Sequence, residues 1–177
     1  KGKKAGGIGH VGCFSFYVTK NIVTGEGGMA ISNNKEYADK IKIRGLQGMS
    51  QDAWKRFSDS GYKHYKVVYA GFKYNMMDIQ AAIGIHQIKR VDQYWQYRRK
   101  IWNQYNRAFK NLAVFIPKEI EPNTRHAYHL YKLLLDVDHL KITRDQFLNH
   151  LNKENIGTGV HYIALHLHPF YQKTYGY

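Results

Sequence analysis

Lys20 ends a short apolar and aromatic run, Gly12-Cys13-Phe14-Ser15-Phe16-Tyr17-Val18-Thr19-Lys20-Asn21, and the glycine cluster Gly25-Glu26-Gly27-Gly28 follows it. An amine at the end of a buried strand is pushed toward its neutral form, because desolvation disfavours charge. A neutral amine is a nucleophile and condenses with an aldehyde to a Schiff base. Ser15, on the same run, supplies a hydroxyl that can donate to an anionic oxygen. Glycines at 25, 27 and 28 permit positive φ and close backbone approach, as a tight turn requires. Their spacing is not that of a dinucleotide or P-loop fingerprint, so they are not read as phosphate ligands.

Other polar residues carry weaker signals. Asn75, read alone, is a helix N-cap near Met76. His161, His166 and His168 invite a metal reading, but no carboxylate or cysteine completes a recognisable set, and no metal is expected. Tyr17, Tyr74 and Arg44 are read as packing residues before cleft residues. Cys13 is the single cysteine, so no disulfide forms within the chain, and a buried structural thiol is expected.

The elements that must hold these groups follow from patterning. Residues 12–17 and 28–32 read as short strands, with Lys20 on the loop between them. Glu36 to Arg44 has helical spacing, and Gly45 is its expected stop. Residues 46–71 read as a long loop, with a helical turn at 52–57. A helix from about Met77, apolar on much of its circumference, is expected to be well buried. Tyr94 to Leu112 reads as a second helix with an aromatic stripe, 128–137 as a strand, and 158–162 as another. Thr143 and Gln146 have the spacing of a capping box for a helix reaching about Glu154. The order predicts an α/β chain with a C-terminal part of a large domain at 1–92, a linking helix at 93–112, and an incomplete small α+β domain at 113–177.

The chain has 177 residues and a formal net charge of +14, which attracts polyanions. The basic residues come in short separate groups, so a solvated face is the plainer reading. No zinc-finger or RNP-type pattern supports nucleic-acid binding. A basic nucleic-acid module using the aromatic helix stays open as the rival reading, and so does a catalytically inactive protein. No run of about 18 apolar residues indicates a membrane span, no signal peptide is visible, and a cytoplasmic location is expected. The chain begins at Lys1 and ends at Tyr177 inside an aromatic-rich stretch, so it is expected to be an internal piece of a longer enzyme.

Three stretches, GCFSFYVTKNIVTGEGGMAISNN, AGFKYNMMDIQAAIGIHQI and NIGTGVHYIALHLHPFY, together resemble the sugar-nucleotide aminotransferases of the DegT/DnrJ type, within the fold-type-I, aspartate-aminotransferase-like pyridoxal-phosphate enzymes. The loop RGLQGMSQDAWKRF is similar to the branch that forms 4-amino sugars. The resemblance implies that Lys20 carries pyridoxal 5'-phosphate as a Schiff base and that Ser15 holds its phosphate. It implies that Asn75 reaches the phosphate of a partner subunit's cofactor in a homodimer, and that His161 lies near the sugar. It implies a nucleotide-linked keto sugar as acceptor and an amino acid, glutamate, as donor. A related branch of sugar dehydratases has histidine in place of the lysine, so Lys20 favours transamination. The phosphate-binding turn, the aromatic ring that stacks on the pyridine and the aspartate that pairs with its nitrogen lie in the family's N-terminal half. None is present here, so the isolated chain is not expected to be a competent catalyst.

Overall fold

The computed structural model describes residues 2–50 and 64–176. The helical turn expected at 52–57 lies outside the described residues. The chain packs as two compact units. The first holds residues through Gln104 together with Lys118–Tyr131, and the second holds Tyr105–Pro117 and the residues from Lys132 onward.

In the first unit, β1 (Gly12–Ser15) pairs antiparallel with β2 (Gly28–Ile31), with Gly12 opposite Ile31 and Ser15 opposite Gly28. Helix α1 (Lys35–Gly45) starts where Asn34 accepts the amides of Glu36 and Tyr37, satisfying two orphan donors. Gln47 and Gly48 then turn left-handed, at φ 55° and 72°, and end the helical course. Helix α2 (Asp78–Phe109) is one continuous helix of 32 residues, not two. Val91, Asp92, Gln93 and Tyr94 contain no glycine or proline, so nothing breaks the ladder at the expected junction.

In the second unit, β3 (Val114–Phe115) pairs antiparallel with β4 (Leu134–Leu135). Helix α3 (Arg144–Lys153) begins with the expected capping box: the Gln146 amide donates to Thr143 Oγ1, and the Thr143 amide donates to Gln146 Oε1 at 2.9 Å. A short 3-10 turn, Leu165–Leu167, leads into α4 (Pro169–Tyr175). Pro169 lacks the amide that a first helical turn leaves orphaned, and Gly176 closes the helix at φ 71°.

Three further expectations are corrected. The strand expected at 128–137 is reduced to β4, because its ladder partner β3 is two residues long and the Tyr128 and His129 carbonyls are taken by Arg98. The strand expected at 158–162 is absent, since none of the described residues offers it a ladder partner. The expected burial of β1, Cys13 and the start of α2 is also overturned: Cys13 is exposed, as are Ile79, Ile85 and Ile88. A two-stranded sheet is too small to cover a helix about 48 Å long. Among the described residues the buried apolar side chains are Trp102 and Tyr128.

Candidate active site

Ser15 ends β1, and Phe16 extends the pairing, its amide donating to Gly27 O at 2.9 Å. The chain then makes an excursion over 17–26, which the Thr24 amide closes by donating to Phe16 O. Lys20 sits on this excursion, half-buried, with its amide donating to Tyr17 O at 2.9 Å. The Tyr17 amide donates to Ser15 Oγ at 3.3 Å. Hydroxyl and amine therefore belong to one hydrogen-bonded turn.

The base of the excursion is fixed against the start of α2. Thr24 is 3% exposed, and its hydroxyl donates to Glu26 O at 2.7 Å. Gln80 Nε2 donates to the same carbonyl at 2.9 Å. Gly27 stands at φ 139°, where a Cβ would meet Thr24 Oγ1 at 2.8 Å and the Met76 methyl at 2.9 Å. The glycine is thus required by both conformation and space.

A second segment holds the flanks of Lys20. Asn21 Nδ2 donates to Ala127 O at 2.6 Å, and His129 Nε2 lies 2.8 Å from Thr19 O. That segment is in turn held by α2: Trp95 Nε1 donates to His126 O at 2.7 Å, and Arg98 donates to Tyr128 O and His129 O. The Trp102 ring packs on His126, Tyr128 and Tyr131, and burial raises the Tyr131 phenol above its ordinary value. An open cleft of about 280 Å³ beside it is walled by Asn21, Trp95, Arg98 and Arg125. Arg125 stacks over Trp95 and pairs with Asp92.

The other expected site residues are spread more widely. Asn75 precedes α2 and does not cap it. Its Oδ1 accepts from Lys73 Nζ, while the Met77 amide is taken by Gln80 Oε1 at 3.0 Å. Its neighbour Met76 is the residue that approaches Gly27. Arg44 is engaged with Tyr69, over whose ring it stacks at 4.2 Å. Tyr74 stacks on Phe72, and Tyr17 is exposed. His161 belongs to the second unit, is exposed, and packs its ring on Tyr162.

The patterning did not single out Asn21, Trp95 or His129, and it placed Arg98 on the aromatic stripe with no site role. Their available signals were the adjacency of Asn21 to Lys20 and the paired histidines of His126-Ala127-Tyr128-His129.

This donor set fits a cofactor bearing an aldehyde and a phosphate. Ser15 is exposed and accepts from an amide, so its own proton is left to donate to an anionic oxygen. Lys20 supplies the amine. The chain as a whole is similar to known proteins. A relative from Methanocaldococcus jannaschii, described as uncharacterized, is 54% identical over the whole chain. The spore coat polysaccharide biosynthesis protein SpsC of Bacillus subtilis is 45% identical, again over the whole chain. The chain spans 46% of the length of each. The solved structure of PseC from Helicobacter pylori, an aminotransferase involved in the biosynthesis of pseudoaminic acid, superposes with a TM-score of 0.82 at 28% identity. That match covers 100% of this chain and 45% of PseC, so the fold is a partial fold-type-I architecture. Because the model of the DegT/DnrJ/EryC1/StrS aminotransferase family matches residues 1–177, from the Lys20 hairpin to the last helix, this chain belongs to that family.

Proposed function

We propose that the whole protein containing this chain moves an amino group from an amino acid, glutamate, to a nucleotide-linked keto sugar. The observation that carries the reading is the Ser15–Lys20 turn, which holds a donor hydroxyl and an amine on one fixed loop. Pyridoxal phosphate, when bound, supplies an aldehyde that an amine can capture and a ring that takes up the electron pair released at a substrate carbon.

Lys20 Nζ would hold the cofactor covalently at rest, and Ser15 Oγ–H would donate to its phosphate. Lys20 Nζ would accept the α-proton of the amino donor. It later returns a proton to the sugar carbon that gains nitrogen. One amine serves both half-reactions: an amino acid and a keto sugar enter, and an oxo acid and an amino sugar leave. Asn75 serves the phosphate of a partner subunit's cofactor in a homodimer, and His161 serves the sugar. The net charge of +14 favours an anionic sugar diphosphate. In this reading residues 1–92 belong to the cofactor-binding domain, 93–112 to a linking helix and 113–177 to a smaller domain, and the enzyme works in the cytoplasm.

The test is borohydride reduction of the native protein followed by peptide mass spectrometry. The expected product is a reduced cofactor adduct on Lys20. Lys20→Ala and Lys20→Arg are expected to lose both the visible absorption and turnover. An adduct on another lysine, or normal turnover in either variant, overturns the assignment.

A further inference from the structure

We infer that segment 126–129 is a strap that fixes the backbone on both sides of Lys20, with His129 and Asn21 as positioning residues for its amine. The inference rests on the reading of Lys20 as the Schiff-base lysine.

The two residues that flank Lys20 are each tied to the same distant segment. Thr19 offers its carbonyl to His129 Nε2 at 2.8 Å, and Asn21 donates its side-chain amide to Ala127 O at 2.6 Å. These bonds span 110 and 106 residues of sequence. The hairpin alone cannot supply them, because its own pairing stops at Phe16 and Gly27 and is resumed only by Thr24.

The strap has its own anchors. Trp95 and Arg98 take three of its carbonyls, those of His126, Tyr128 and His129. The Tyr128 ring is buried against Trp95 and Trp102. Lys20 is therefore referenced to the middle of α2, a long regular helix, as well as to the first turn that Gln80 grips.

The chemistry explains why such a device is useful. Lysine carries its charge on a flexible four-carbon stem, so a small swing at Cα becomes a large displacement at Nζ. Proton transfer needs the amine within hydrogen-bond reach of a substrate carbon, and small misplacements are costly in rate. A backbone held on both sides leaves the side-chain torsions as the remaining freedom. His129 suits this task because Nε2 donates both in the neutral form protonated there and in the cation. Asn21 keeps its orientation because a flipped amide would set Oδ1 against Ala127 O. Asn21 Oδ1 is buried with no hydrogen-bond partner among the described residues, so the contact to Ala127 alone orients the amide.

The experiment compares wild type, His129→Phe, His129→Gln and Asn21→Leu in the native protein. Three quantities are read: the rate at which added pyridoxal phosphate becomes borohydride-fixed on Lys20, kcat and KM for the keto sugar, and amide hydrogen exchange over 17–24. His129→Phe and Asn21→Leu are expected to slow fixation and lower kcat by about tenfold or more. KM is expected to stay within about twofold, because only uniform binding would change it alone, and exchange at Lys20 and Thr24 is expected to quicken. His129→Gln restores an amide donor and is expected to recover most of both rates. Wild-type fixation rate and exchange in His129→Phe and Asn21→Leu overturn the strap. So does a loss of thermal stability in His129→Phe that His129→Gln repairs without recovering kcat. If wild type itself is not tagged at Lys20, the Schiff-base reading fails, and the positioning role fails with it.

Discussion

Gln80 and Glu26 are joined by a bond of 2.9 Å from the glutamine side-chain amide to the glutamate carbonyl. The same glutamine accepts the Met77 amide through Oε1, at 3.0 Å. One side chain thus satisfies an orphan donor at the start of α2 and holds the loop that carries Lys20. The first turn of a helix leaves such donors unpaired, so the arrangement serves helix and loop together.

Gln80→Ala removes both bonds. A loss of about 1–2 kcal/mol in unfolding free energy is expected, from the combined scale of a lost cap and a lost hydrogen bond. Gln80→Glu keeps an acceptor for Met77 but sets an oxygen against Glu26 O, so it is expected to loosen the loop while sparing the helix start. Urea denaturation and amide exchange at Thr24 check the two outcomes separately.

Gly27 and Gly25 provide an internal comparison. Gly25 stands at φ 82° with nothing within 4 Å of an added Cβ. Gly25→Ala is therefore expected to cost about 1–2 kcal/mol from left-handed backbone alone. At Gly27, φ 139° is close to glycine-only territory, and the new methyl would also strike Thr24 and Met76. Gly27→Ala is expected to be the more destabilising of the two by at least about 1 kcal/mol. Equal midpoints in chemical denaturation would falsify the packing argument.

Trp102 is 6% exposed, and its ring meets His126, Tyr128 and Tyr131. Trp102→Ala is expected to cost about 3–5 kcal/mol, the usual range for truncating a large buried aromatic. Because these rings back the segment that touches Thr19 and Asn21, the variant is also expected to speed exchange in 17–24. Thermal unfolding together with exchange checks both; a stability loss with a wild-type loop would separate the aromatic cluster from the site.

Asn75 tests the shared-site reading. Asn75→Ala is expected to weaken retention of pyridoxal phosphate by about tenfold, the scale of one charge-assisted hydrogen bond. Lys20 is expected still to be tagged by borohydride. Cofactor retention measured by dialysis and absorbance decides the matter, and unchanged retention removes Asn75 from the site.

Local chemistry was legible in the chain wherever the interaction is local. The Thr143–Gln146 capping box appears as its spacing predicts, and so do the two short strands that flank the Lys20 loop, while their antiparallel pairing is a finding of the structure. Helix α2 runs through the expected junction because a change from aliphatic to aromatic residues alters composition and not backbone capacity. The strand at 128–137 is shorter than its apolar residues suggest because β3 offers a ladder partner for two residues alone. Cys13 and Ile79 are exposed in this chain, since apolar character gives a tendency to be covered but does not name what covers it.

The order of residues alone placed a hydroxyl, an amine and a glycine turn within one short stretch, because the torsions there are set by near neighbours. Only the tertiary structure decided what steadies that pair. His129 reaches Thr19, and Asn21 reaches Ala127, because α2 carries the chain away and a connector brings 126–129 back onto the helix. Periodicity and propensity act over a few residues, whereas a hydrogen bond across more than a hundred depends on where packing returns the chain.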